Sequence, residues 1–255
     1  TSATPSTMLT ALKTLLCPHI PLAKEICDCV GTFDMACLRM LRRVEEVSPG
    51  HPLCSLIRTR ILVLRDFAVV ISDIMTGLFD MTSNIRELII SDQRPEALLS
   101  DTHHNHQALL RLLGRALDDG CRARDELLSL EQQVVRALSY PRLLQSLLAY
   151  FLGSDWSRRE MARTQVPPVI RALCDDLQSI VSLTARLKDC VADMPQRFSV
   201  PQLAVIRSAE AKTRDEVAKI VKQAAWELYS NARSARETAN FLQELAKEQL
   251  GTQIL

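Results

Sequence analysis

Residues 53–90 read LCSLIRTRILVLRDFAVVISDIMTGLFDMTSNIRELII, and no proline interrupts the chain between Pro52 and Pro95. Apolar side chains recur at Leu53, Ile57, Ile61, Leu64, Ala68, Ile71, Met75, Leu78, Ile85 and Ile89, in steps of three and four with one gap at Thr82. That spacing returns each side chain to one stripe of a helix. The stretch predicts one amphipathic helix of about 39 residues, about 58 Å long at 1.5 Å per residue, with Gly77 as the place where it can kink. A compact globule of this chain length would be roughly 45 Å across, so a helix of that length does not fit inside it. The expected fold is therefore all-α: an elongated antiparallel bundle of long helices, with short N-terminal helices packed on it.

The rest of the chain is punctuated just as sparsely, with 7 Gly and 11 Pro in 255 residues. Upstream, Ser6 or Thr7 can cap a short helix carrying Met8, Leu9, Leu12, Leu15 and Leu16, which Pro18 and Pro21 end. A helix through Ala23, Ile26 and Val30 stops near Gly31, and one from Asp34 to Val47 runs into Ser48-Pro49-Gly50-His51-Pro52. Residues 1–50 thus form a segment of short helices and residues 51–255 the long-helix bundle, in one continuous domain.

Downstream of Pro95 a periodic run passes through Leu98, Leu109, Leu112 and Leu113, hesitates at Asp118-Asp119-Gly120, and continues through Leu127, Leu130, Val134 and Leu138 to Tyr140-Pro141, which reads as a helix with Gly120 as the place where it can break. Separate helices are expected over Leu143–Leu152, from Ser154 or Asp155 to the Pro167-Pro168 pair, and over Val169–Val191. The last helix has the best start signal, Ser199 as N-cap with Gln202 three residues on, and is expected to reach about Gln249. Its seam is Val217, Ile220, Ala224, Leu228, Ala232, Ala235, Ala239, Leu242 and Ala246, small residues that let a neighbouring helix come close. No self-similarity at solenoid periods is present.

Composition removes several function classes. Lys plus Arg total 31 against 30 Asp plus Glu, a formal net charge of +1, so no global field draws the chain to nucleic acid or to an anionic bilayer. No stretch is apolar enough for a span, since Ile61–Phe79 is interrupted by Arg65, Asp66 and Asp73. Five of the 8 cysteines crowd at 17, 27, 29, 37 and 54, yet Cys27 and Cys29 lack the second ligand pair that a structural zinc site requires. Plain thiols in a helical core and a cytoplasmic setting are expected, with no secretion signal at Thr1.

No Gly-rich phosphate loop, G-x-S-x-G or Glu-x-x-His pair is present, so the nucleotide, hydrolase and di-iron readings fall and the chain is expected not to be an enzyme. His103, His104 and His106 cluster beside Asp101, but a polar, solvated helical turn with no bound metal is the expected state. Asp118-Asp119 and Asp175-Asp176 are adjacent pairs whose members point to different sides of a helix, so neither makes an acid and base couple. Arg39, Arg42, Arg43, Arg58 and Arg60 are expected to form a solvated rim.

One constellation points to recognition. Lys219, Lys222, Trp226, Tyr229 and Arg233 follow one another at three- and four-residue steps on the last helix, about half a turn from its aliphatic seam. Trp, Tyr and Arg are the residues most often found as interface anchors. The expected function is a protein-interaction or scaffold module without a cofactor, working through this helix face, with another protein as partner and self-association included.

The run Cys37-Leu38-Arg39-Met40-Leu41-Arg42-Arg43-Val44 resembles the second helix of the executioner domain in mixed-lineage kinase domain-like pseudokinases and related fungal cell-death proteins. That resemblance implies a membrane-permeabilising bundle whose first amphipathic helix, here Met8–Leu16, inserts. The chain departs from it in a much longer third helix. The alternative to the interaction module is a membrane-active bundle, either a lipid-binding module or a cell-death pore former with an amphipathic N-terminal helix, and the balanced charge predicts weak, conditional membrane contact.

Overall fold

The computed structural model describes residues 17–47, 50–91, 95–139, 145–194 and 211–247, with side chains described from His103 within the third of the long helical segments, from Trp156 within the next and from Arg214 in the last. Their elements are α1 (His19–Gly31), α2 (Phe33–Glu45), α3 (Pro52–Ile90), α4 (Pro95–Leu138), α5 (Gln145–Ala192) and α6 (Ala211–Lys247). No strand occurs among the described residues, and the helices pack as an all-α bundle. The expected Met8–Leu16 helix and the Ser199–Gln202 capping box lie outside the described residues.

The long helix read from residues 53–90 is α3, with 39 residues. Its start is set locally: Gly50 takes a left-handed φ of 76°, and Pro52 occupies the first turn, where its missing N–H costs nothing. His51 Nδ1 accepts a hydrogen bond from the Leu53 amide at 3.1 Å, a cap supplied by an imidazole. All ten predicted seam positions of α3 are buried, and so is Thr82 in the gap.

The run after Pro95 is one helix as read, without the break that Gly120 allowed, whereas the breaks expected before and at Pro167-Pro168 do not occur. α4 runs through Asp118-Asp119-Gly120 without interruption. Gly120 serves close packing instead of a turn, since a Cβ there would meet Val181 Cγ2 at 2.8 Å and the Phe67 ring at 3.2 Å. α5 runs from Gln145 to Ala192 and contains both Pro167 and Pro168, where separate helices were expected. A proline inside a helix costs about 3 kcal/mol. Ala162, Val166, Pro167, Ile170, Leu173 and Leu177 are nevertheless buried in unbroken steps of one helical face. A large apolar side chain gains about 1.5 to 3 kcal/mol on burial, so keeping this face in register offsets the lost backbone bonds.

The chain divides into two compact units, each taking a part of the long helices. The first comprises the chain up to Asp28, Val70–Leu117 and Ser182–Ala235; the second comprises Cys29–Val69, Asp118–Val181 and the chain from Arg236.

In the first unit an aliphatic core holds a few polar ties. Ile71, Met75, Leu78 and Ile85 of α3 lie buried with Leu109 and Leu113 of α4, Leu187 and Val191 of α5, and Val221, Ala224 and Leu228 of α6. Buried His19 shares a hydrogen bond with Thr82 Oγ1 through Nε2 at 3.0 Å, which accounts for the polar gap in the α3 seam. Ser72 donates to the Ala232 carbonyl at 3.0 Å and thereby ties α3 to α6. α6 presents the buried alanines Ala225, Ala232 and Ala235 around this bond, small side chains that let a neighbouring helix come close.

The second unit packs Phe33, Cys37, Met40 and Leu41 with Ile57, Ile61 and Phe67, together with Leu127, Leu130, Ile170, Leu173 and Leu242. The expected solvated arginine rim is partly structural here. Arg58 pairs with Glu45 at 2.7 Å and Arg60 with Glu126 at 2.8 Å, both half-buried. Along α6 the seam holds as read except at its end, where Leu245 is buried and Ala246 is half-exposed.

Candidate interaction face on α6

α6 has two faces of opposite character within the first unit. Val217, Ala218, Ile220, Val221, Ala224, Ala225 and Leu228 are buried, a wider stripe than the predicted seam. A helix already packed so broadly needs nothing from its opposite side for stability. On that side Lys219, Lys222, Trp226, Tyr229 and Arg233 are all exposed. Trp226 is 68% and Tyr229 47% exposed, the former the most exposed large hydrophobic side chain among the described residues.

The two aromatics form part of a ring cluster. The Trp226 and Tyr229 rings stack with centroids 5.4 Å apart at 26°. Tyr229 in turn meets Phe79 of α3 at 5.9 Å and 57°, a tilted contact. Such pairs add about 0.5 to 1.5 kcal/mol beyond area burial, and they limit the orientations an exposed indole can adopt. Rings held in place lose less entropy when a partner covers them.

An open groove of about 430 Å³ lies beside this cluster, between α3 and α6. Phe79, Ser83 and Arg86 line it from α3, and Lys219, Lys222 and Trp226 from α6. Arg86 pairs with its neighbour Glu87 at 2.9 Å. Among the described residues neither Lys219 nor Lys222 has a carboxylate within ion-pair distance.

The α3 half of this face was missed in the sequence. Phe79, Ser83 and Arg86 follow three- and four-residue steps adjacent to the α3 seam, which is the same signal that marked the α6 residues. Nothing local connects positions 79–86 with 219–226.

The other polar groups are occupied differently. His106 turns inward, with Nε2 2.8 Å from the Val191 carbonyl and its ring stacked on His103 at 6.3 Å. Asp119 pairs with Arg122, and Asp176 accepts from the Thr32 hydroxyl at 2.7 Å. The eight cysteines are thiols; Cys17, Cys27, Cys37, Cys54 and Cys174 are buried. Burial pushes the Cys27 thiol up to about 12, with Asp28 adding to the effect, and raises Cys37 further still, so both remain protonated at neutral pH. Among the described residues no group of three His, Cys, Asp or Glu side chains converges as a metal site, and no helix is long and apolar enough to cross a membrane.

No protein-family model, curated protein or solved structure matches this chain.

Proposed function

We propose that the chain is a non-catalytic helical-bundle module that binds another protein through the outer face of α6. Trp226 and Tyr229 anchor the partner, and Lys219, Lys222 and Arg233 orient it. The observation that supports this most is an exposed indole braced by a second ring on a face the core does not use. A tryptophan side chain buries about 150 to 250 Å² when covered, and at ~25 cal/mol per Å² the exposed share is worth about 3 kcal/mol to a partner. That is the order found for interface hot spots.

The test pairs folding with capture. A photo-crosslinking amino acid at Ser230, exposed beside Tyr229, is introduced into the parent and into the Trp226→Ala/Arg233→Ala variant. In native-cell extract the parent is expected to give a discrete adduct that the variant loses, while stability falls by no more than about 1.5 kcal/mol, the upper end of what one aromatic pair is worth. Leu228→Ala, on the buried side, is expected to lower stability by about 2 to 5 kcal/mol. An adduct that persists in the variant, or a variant as unstable as Leu228→Ala, refutes the reading.

A further inference from the structure

We propose that the groove between Phe79 and Trp226 receives an acidic amphipathic helix of the partner protein, with an apolar side chain seated between the two rings and carboxylates on Lys219 and Lys222. This rests on the α6 face being a protein-binding surface and adds the chemistry of what it binds. The groove is lined on both sides by aromatic rings, and its cations stand beside them. A wholly apolar partner would desolvate two ammonium groups that have no carboxylate within ion-pair distance among the described residues, at a cost of several kcal/mol each, and a basic one would be repelled. Carboxylates remove that cost and gain charge-assisted hydrogen bonds.

The spacing favours a helix as the ligand. Lys219 and Lys222 lie one turn apart on α6, and acidic side chains three or four residues apart on a facing helix present the matching separation of about 5 to 6 Å. From Lys219 to Arg233 the face runs about 21 Å, close to four helical turns. Anchors at every third or fourth position are how a groove of this kind reads an amphipathic segment.

An anionic bilayer fits these observations less well. Each basic residue near such a surface gains only about 1 kcal/mol, so Lys219 and Lys222 together supply about 2 kcal/mol. The cations also stand around a concavity, which a flat headgroup layer does not enter.

A display library of random 16-residue helical peptides, selected on the whole chain and counter-selected on Lys219→Glu/Lys222→Glu, tests the proposal. Enriched peptides are expected to carry excess Asp and Glu with apolar residues at three- and four-residue steps. Their affinity should fall about tenfold or more on the charge-reversed variant, the range for close interfacial charge pairs. Replacing their carboxylates by amides should remove that dependence. Selected peptides that need Trp226 but show no acidic bias would overturn the acidic ligand and leave the protein-binding face standing. Peptides indifferent to both Trp226→Ala and the charge reversal would overturn both. Lysine-dependent binding of phosphatidylserine vesicles with no peptide enrichment would also overturn the proposal, in favour of a lipid surface.

Discussion

Three glycines inside α3 and α4 give a graded test of the packing. Replacing a mid-helix glycine by alanine gains about 0.8 to 1 kcal/mol of helix propensity, so the outcome at each site depends on what the new methyl meets. At Gly114 it meets only the Lys188 Nζ at 3.6 Å, an ordinary contact with a flexible side chain. Gly114→Ala is expected to keep nearly the whole gain. At Gly77 the methyl would lie 3.1 Å from Leu109 Cδ1, the far end of a side chain that can give by a few tenths of an ångström at partial cost. Gly77→Ala is expected to be near neutral. At Gly120 it would lie 2.8 Å from Val181 Cγ2 and 3.2 Å from Phe67 Cζ. Valine in a helix has one strongly preferred rotamer, and Phe67 is buried, so neither can swing away. Overpacking of this kind costs about 1 to 3 kcal/mol, and the net loss is expected to be about 1 kcal/mol. The series should therefore span about 2 kcal/mol in the order 114, 77, 120. Urea denaturation followed by far-ultraviolet circular dichroism reads this as shifts of the midpoint at constant slope. If Gly120→Ala stabilises as much as Gly114→Ala, then α4 does not approach Phe67 and Val181 in the way described.

The His19 share of stability should be lost as pH drops from about 6.5 toward 4, because burial holds its imidazole down at about 4 and the unfolded chain then takes up a proton that the folded one refuses. The full contribution is on the order of 3 kcal/mol; Asp34, pushed up to about 6 by burial, acts in the opposite direction over part of that range, so melts of His19→Gln, which lacks the titrating ring, should show a weaker acid dependence than the parent, and an unchanged slope would count against a buried His19. Thr82→Val should cost about 1 to 3 kcal/mol by leaving His19 without its hydrogen-bond partner, and His19→Leu/Thr82→Val should cost less than the sum of the single changes; additivity in a denaturation cycle would refute the buried pair. Maleimide labelling of the native protein should modify Cys29, Cys121 and Cys190 well before Cys27 and Cys37, as resolved by peptide mass mapping, and early modification of Cys37 would contradict its burial.

The helix lengths were legible because prolines and glycines are scarce and the apolar steps are regular, so one periodicity fixes both the existence and the inner face of α3. Polar interruptions carried more information than the proposed break points. Thr82 in an otherwise aliphatic seam implies a buried polar partner, and His19 is that partner, although nothing in the sequence says which distant residue it is. Pro167-Pro168 reads as a stop and Gly120 as a weak point from local propensity alone, yet the apolar steps run through both without a phase change: Ala162, Val166, Ile170 and Leu173 across the prolines, and Ala116, Ala123, Leu127 and Leu130 around the glycine. A true break would free the next segment to restart its seam at another angle. Unbroken phase across a breaker is therefore the stronger signal, and by that criterion α5 could have been read as one helix, as the run that forms α4 was. The same reasoning locates the limit for the interaction face. Each half has its own three- and four-residue rhythm off the core seam, but their joining at one groove depends on α3 and α6 packing side by side. That packing depends on long-range burial of the apolar faces of both helices and on the Ser72 bond to Ala232, and no spacing within either helix encodes it.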